Sequence, residues 1–320
     1  MRFSSIFKII ILNIFISKMA HAAVCEERYP PDSEECQYVQ ELEQKAEQGD
    51  ESAQFSLGSW YAEGRYVKPD YKLAIKWLEK AGKQGSDFSY FILGYHYNYG
   101  ENFPLSRQKA LEWYRRAAAQ GLAEAQDAIG VMFMQGEGVS QDYQQALAWY
   151  RKAARQGLPA AQTHLGIMSA FGRGVAQSDR QAIAWYRKAA KQDFAKAQYQ
   201  LGVAYSTGRG VPENSRNALK WYLKAAEQGF TPAQSALGEI YAHGRQGVPK
   251  DNKQAYIWYY MASIYTEKSK DDCSALIAER NRLKGTLTPD QLSETYAAFD
   301  LIRRKINQSK EAKKIARKKY

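Results

Sequence analysis

The sequence predicts an all-α fold of stacked helix pairs, and three columns of residues in register predict it. Glycines that follow Leu or Ile recur at Gly58, Gly94, Gly130, Gly166, Gly202 and Gly238, each step being 36 residues. Tryptophans keep the same step at Trp77, Trp113, Trp149, Trp185 and Trp221, and Trp258 follows after 37 because Gln246 is inserted. Alanines three residues earlier march alongside at Ala74, Ala110, Ala146, Ala182, Ala218 and Ala255. A fixed period of this length marks a repeat architecture, in which each unit buries its apolar face against its neighbours.

Each unit reads as two helices. In the first, typified by residues 52–63, Ala53, Leu57, Trp60 and Tyr61 share one side, as an amphipathic helix requires. Gly58 lies at the edge of that side. A helix-interior glycine costs roughly 1 kcal/mol against alanine, so its return in every unit predicts a close backbone approach by a neighbouring helix. Gly64, Gly100, Gly136, Gly172, Gly208 and Gly244 are expected to close the first helices in the left-handed conformation. The second helices open on Asp70, Ser106, Asp142, Ser178, Asn214 and Asp251, whose side chains can accept hydrogen bonds from the free amides of a first turn. They close at Gly85, Gly121, Gly157 and Gly229, with Gly49 closing a preceding helix. Asp193 stands in this column, and Asp is one of the few other residues tolerated there.

The resulting pattern, A-Q-x-x-L-G-x-x-Y-x-x-G-x-G-V followed by D-x-x-x-A-x-x-W-Y-x-K-A-A-x-Q-G, closely resembles the Sel1-like repeat, a relative of the tetratricopeptide repeat. Ala161–Gly166, Gly172–Val175 and Ala182–Ala190 make the clearest copy, and the resemblance covers about two-thirds of the chain. It implies a right-handed α-α superhelix of six repeats with helical caps, acting as a protein-interaction scaffold. Two departures stand out. The second unit reads GENFPLS where others carry Gly-x-Gly-Val or similar, so an atypical turn is expected. Ser169 replaces the aromatic found at Tyr61, Tyr97, Phe133, Tyr205 and Tyr241, so looser packing of the fourth unit is expected.

The flanks read as caps. Residues 35–48 resemble a second helix without its partner, and residues 271–283 and 289–306 resemble helices that seal the other end before the chain frays. The predicted organisation is therefore a signal segment at 1–22, an N-terminal segment and capping helix at 23–49, six repeats at 50–265, and C-terminal capping helices with a basic tail at 266–320.

Charge and cysteine usage bound the function. The net charge is +11, of which residues 1–22 carry +3 and residues 303–320 carry +8, so the remainder balances. A nucleic-acid reader usually spreads basic residues over a folded face, so no nucleic-acid partner is expected. The basic start, the short apolar run IIILNIFIS and the small-x-small sequence Ala20-His21-Ala22 read as an export signal cleaved after Ala22. Periplasmic or secreted location follows, and an oxidising compartment with it. Val24 stands before Cys25 where a lipoprotein signal wants a small residue, which disfavours a lipid anchor. Cys25 and Cys36 flank a Pro-Pro turn and are expected to pair, leaving Cys273 as the odd thiol; pairing of Cys273 with one of them stays open.

Little in the sequence suggests chemistry. His21 falls in the signal, and His96, His164 and His243 occupy unrelated positions of three units, so neither metal nor cofactor is expected. Some cysteine-rich Sel1-like relatives are linked to β-lactam binding or hydrolysis, and acyl-transfer enzymes of that kind use Ser-x-x-Lys. Ser106-Arg107-Gln108-Lys109 matches, but Ser106 stands in the helix-cap column, and no Ser-Asp-Asn or Lys-Thr-Gly partner exists. The chain is read as no enzyme, with a β-lactam-directed enzyme as the alternative.

The expected function is non-enzymatic binding of a protein or peptide on a concave face lined by the first helices. Opposite Ala53 and Leu57, three columns of positions vary from unit to unit, as a non-repeating partner would require. The candidates are Phe55, Ser59, Phe91, Tyr95, Asn98, Asp127, Val131, Thr163, Ile167, Tyr199, Val203 and Glu239. The aromatics are read as anchors; for the aliphatic residues, lateral packing between adjacent first helices is an equal alternative. The basic tail offers a further contact, with anionic lipid headgroups or envelope polymers.

Overall fold

The structure, a computed structural model, describes residues 30, 33–245, 247–266 and 274–317. Among these, fifteen helices form and no strand does; an isolated bridge pairs Arg245 with Val248. The chain divides into two compact units, the first ending at Gln156 and the second beginning at Gly157.

The first unit holds α1 (Glu34–Glu47), α2 (Glu51–Glu63), α3 (Tyr71–Lys83), α4 (Asp87–Tyr99), α5 (Arg107–Ala119), α6 (Ala123–Gln135) and α7 (Tyr143–Arg155). Helices α2 and α3, α4 and α5, and α6 and α7 pack as pairs, and α1 covers α2. The second unit holds α8 (Pro159–Phe171), α9 (Asp179–Ala190), α10 (Ala195–Thr207), α11 (Ser215–Ala226), α12 (Thr231–His243), α13 (Asn252–Thr266), α14 (Ser274–Lys284) and α15 (Pro289–Arg317). Its pairs are α8 with α9, α10 with α11 and α12 with α13, and α14 and α15 both pack on α13.

The caps form as the residue types predict. Asp70 accepts from the backbone amides of Lys72 and Leu73 at 2.8 and 3.1 Å, and Asn214 accepts from Asn217 at 2.9 Å. Ser106, Asp142, Ser178 and Asp251 bond to first-turn amides in the same way. The glycines that end the first helices all have positive φ, from 66° at Gly172 to 74° at Gly136. Asp193, in the column that ends the second helices, is likewise left-handed at 54°. The core column Leu57, Leu93, Ile129, Leu165, Leu201 and Leu237 is buried throughout, as is the alanine column.

Several expectations need correction. The recurring helix-interior glycine meets mainly an aromatic ring rather than a neighbour's backbone. A Cβ added at Gly166 would lie 2.4 Å from Tyr186 Cε1, and at Gly94, Gly130 and Gly202 the rings of Tyr114, Tyr150 and Tyr222 take the same place. Only a residue without Cβ leaves a notch flat enough for the ring. In the first repeat Leu78 fills that role, its side chain at 2.7 Å and its backbone nitrogen at 2.9 Å. The turn GENFPLS keeps the left-handed geometry of its counterparts, because Asn102 takes it up at φ 58° and its Nδ2 donates to the Ala62 carbonyl at 3.0 Å. Gly138 and Gly210 hold the equivalent places at 73° and 72°. Ser169 is buried with its hydroxyl donating to the Leu165 carbonyl at 2.9 Å. The last helix does not end at Ile306 but continues to Arg317; residues 307–317 contain neither Gly nor Pro and are rich in Lys and Ala, which favour helix.

Cys36 is buried and disulfide-bonded. Cys25 and Cys273, the signal segment with its cleavage site after Ala22, Gln246 and the final three residues lie outside the described residues. No described helix is long and apolar enough to cross a membrane.

Candidate functional site

Helix α4 carries two apolar faces. Tyr90, Leu93, Gly94 and Tyr97 are buried in the stack. Phe88, Phe91, Tyr95 and Tyr99, spaced three, four and four apart, share another side. Three of these rings reach solvent: Phe88 is 43% exposed, Tyr95 40% and Tyr99 60%. Phe91 is half-buried, 5.4 Å from the Tyr114 ring beneath it and 5.3 Å from Phe88. Phe55 of α2 extends the run, 6.4 Å from Phe88, while Tyr95 and Tyr99 stand 4.6 Å apart. Five aromatic rings thus lie along adjacent first helices of one unit.

The structure sorts the predicted binding residues. Phe55, Phe91 and Tyr95 come together in this run. Ser59 is buried with its hydroxyl donating to the Phe55 carbonyl at 2.8 Å, and Asn98, Asp127 and Val131 are half-buried. In the second unit Thr163 is fully buried and donates to the Pro159 carbonyl at 2.8 Å, so its side chain does not face solvent. Ile167 is half-buried, and Glu239 is exposed. Tyr199 is half-buried between Tyr222 at 5.6 Å and Phe230 at 5.4 Å. Val203 lines a cavity of about 90 Å³ with Ala170, Phe171, Ile183, Tyr186 and Thr207. At its edge the Arg209 guanidinium bonds Asp179 at 3.2 Å and the Ala170 carbonyl at 3.3 Å.

Phe88 and Tyr99 escape a reading by repeat columns, because that reading compares equivalent positions across units. The three-four-four spacing within the single segment 88–99 is the signal that finds them. A second missed feature is the residue after each tryptophan. Tyr114, Tyr150, Tyr186 and Tyr222 are buried, whereas Trp113, Trp149, Trp185 and Trp221 are half-covered, each by a cation three residues on. Arg116 lies 4.3 Å and Lys152 4.0 Å from those ring centres. Burial pushes the Tyr114, Tyr186 and Tyr222 phenols up. It also raises Tyr95, with the Glu101 carboxylate as the next cause, and Tyr199, with Glu239 next.

The groups that could have carried chemistry have structural partners. Ser106 accepts from the Lys109 amide at 3.4 Å as the cap of α5, and the Lys109 ammonium lies 5.4 Å from the Tyr97 ring centre. His96 is buried, stacked on Phe103 at 5.0 Å, with Nδ1 3.1 Å from the Glu101 carbonyl oxygen. Among the described residues no cluster of His, Cys, Asp and Glu is placed to hold a metal ion.

Paired helices of about thirteen residues, repeated with left-handed glycine ends, define an all-α helical-repeat protein. The Sel1 repeat matches six times, at residues 51–86, 88–122, 123–158, 159–194, 195–230 and 231–263, and the chain belongs to that family. It is similar to a protective antigen present in uropathogenic Escherichia coli strains and displaying an SLR fold, with 34% identity and a TM-score of 0.69 over 85% of this chain. The match spans 57% of that protein's length. It is also similar to a Sel1 repeat protein from Oxalobacter formigenes, with 36% identity and a TM-score of 0.63 over 68% of this chain and 89% of that one. No curated protein matches.

Proposed function

We propose that the protein is an exported, non-enzymatic scaffold that holds a protein or peptide against the face formed by its first helices. The observation that carries this reading is the exposed aromatic run of α4. Large rings held in water cost free energy that a partner recovers by covering them, and aromatic side chains supply most binding hot spots. Family membership supports the scaffold role, since Sel1 repeats commonly serve protein interaction. Export rests on the first 22 residues, and the likeness to a protective antigen fits it. The position of Ser106 as a cap argues against the β-lactam alternative; nitrocefin turnover abolished by Ser106→Ala would restore it.

The test uses Tyr95→Ala with Tyr99→Ala in the full chain, read by capture of partners from an envelope extract and by melting temperature. Lost capture with unchanged melting supports the face. Unchanged capture removes it. N-terminal sequencing of protein recovered from cell fractions tests export: a chain starting at Ala23 outside the cytoplasm is expected. The basic tail is a separate proposed contact, tested by deleting residues 309–320 and measuring salt-sensitive binding to anionic liposomes.

A further inference from the structure

We propose that the aromatic strip of α4 receives a cationic peptide segment, one presenting Lys or Arg side chains to Phe88, Tyr95 and Tyr99. The inference rests on the scaffold reading and adds the partner's chemistry to it. Its first support is a segregation of charge between the first and second helices of the first unit's repeats. Helices α2, α4 and α6 carry Glu51, Glu63, Asp87, Glu124 and Asp127 and not one Lys or Arg. Their partners α3, α5 and α7 carry eleven Lys and Arg against Glu79 and Glu112. The strip is therefore acidic at both ends, with Asp87 next to Phe88 and Glu101 two residues beyond Tyr99. Asp127 occupies in α6 the position that Phe91 holds in α4.

The second support is the rings themselves. An aromatic face attracts a cation through its quadrupole, and this protein already uses that attraction on its second helices, where Lys152 lies over Trp149 and Arg116 over Trp113. Among the described residues no Lys or Arg lies over Phe88, Tyr95 or Tyr99, although all three are exposed. The Glu101 carboxylate acts electrostatically on Tyr95, so an anion and an open ring share one place. A cationic side chain satisfies both at once. An acidic segment meets repulsion, and a neutral one gains burial alone. Attraction of this kind weakens with salt.

The test titrates the purified full chain with three fluorescein-labelled peptides built alike from Leu, Gly and one variable residue, which is Arg, Gln or Glu. A random-peptide display selection on the same protein runs in parallel. The Arg peptide is expected to bind roughly tenfold or more tightly than the Gln peptide, equivalent to about 1.4 kcal/mol, and to weaken as salt rises. Tyr95→Ala with Tyr99→Ala should remove that preference, and so should Asp87→Asn with Glu101→Gln, a pair that leaves every ring in place should the first variant fold poorly. Equal binding of the Arg and Gln peptides, or Arg binding untouched by either variant, overturns the inference. Neutral or acidic displayed peptides that bind the strip would overturn the cationic partner while leaving the scaffold reading intact. Peptide binding that ignores Tyr95 and Tyr99 altogether would remove both. A concentration-dependent dimer abolished by the tyrosine variant would assign the strip to a second copy of the chain, and likewise overturn the proposal.

Discussion

The ring of Tyr90 occupies the space that a Cβ on Gly82 would need: such an atom would lie 2.5 Å from Tyr90 Cε1 and Cζ. Both residues depart from their columns, and together. Position 90 is Gln in the other five repeats, at Gln54, Gln126, Gln162, Gln198 and Gln234, and position 82 is Ala at Ala46, Ala118, Ala154, Ala190 and Ala226. The smaller residue on α3 admits the larger one on α4. The exchange breaks a ladder, in which Gln84 donates to Gln54 at 2.8 Å and Gln228 to Gln198 at 2.7 Å. Gln120, which stands in the column of Gln84 and Gln228, bonds instead to the Gly82 carbonyl at 2.9 Å.

Gly82→Ala should therefore change sign with its background. Alone it overpacks against a rigid ring and costs about 1–3 kcal/mol. With Tyr90→Gln it replaces a helix-interior glycine and stabilises by up to about 1 kcal/mol. Denaturant unfolding of the four members of the cycle measures this coupling, and additive effects would refute the pairing.

Gly166→Ala places its methyl group 2.4 Å from Tyr186, whose ring cannot swing away as a flexible side chain would. Overpacking outweighs the better helix propensity of alanine, leaving a net loss of about 1–2 kcal/mol. Thermal unfolding reads it, and a variant as stable as the parent would show that the ring has room to retreat.

Gln192 donates to the Gly157 carbonyl at 3.0 Å and to Gln162 Oε1 at 3.1 Å, and Gln162 is buried. Gln192→Ala should cost about 1–3 kcal/mol because it strands an acceptor away from water. Gln120→Ala should cost less, since that residue serves a single carbonyl. An equal or reversed order in chemical denaturation would mean the ladder contributes little.

Alkaline pH should unfold the protein through its tyrosines. Burial raises the Tyr114, Tyr186 and Tyr222 phenols above the ordinary 10.0 and pushes Tyr259 up to about 12. A raised phenol keeps its proton longer in the folded state than in the unfolded one. Its stabilising contribution is complete below pH 10.0 and disappears as pH climbs through the folded value. Melting temperature should fall steeply between pH 10.0 and about 12, and Tyr186→Phe should soften the fall. A flat profile there would contradict the buried, protonated phenols.

Cys36 is disulfide-bonded, and the short separation from Cys25 makes that residue its expected partner. Peptide mapping without reductant should yield a peptide joining Cys25 to Cys36. A peptide joining Cys36 to Cys273 would instead tie the N-terminal helix to the far end of the chain.

The repeat length, the six capping residues and the glycine helix ends are legible in the residues alone. Each depends on contacts within a few positions, such as Asp70 with Lys72 and Leu73, so the local residue type suffices. The candidate site is only partly legible. Phe55, Phe91 and Tyr95 follow from the variable columns, but the approach of Phe55 to Phe88 and of Phe91 to Tyr114, and the burial of Thr163, depend on how the helices pack.

Periodicity alone determined that this protein repeats a capped helix pair six times. Packing decided which way each helix turns. At residues 113–114, 149–150, 185–186 and 221–222 the Trp-Tyr dipeptide offers two large rings, and nothing local chooses between them; the notch at a glycine 20 residues earlier takes the tyrosine, and the tryptophan is left half-covered under a cation. Charge follows the same logic. In the first unit, pairing α3, α5 and α7, rich in Lys and Arg, with α2, α4 and α6, which have none, separates the signs between the two sets of helices, because each helix turns its apolar side inward and keeps its charged residues in water.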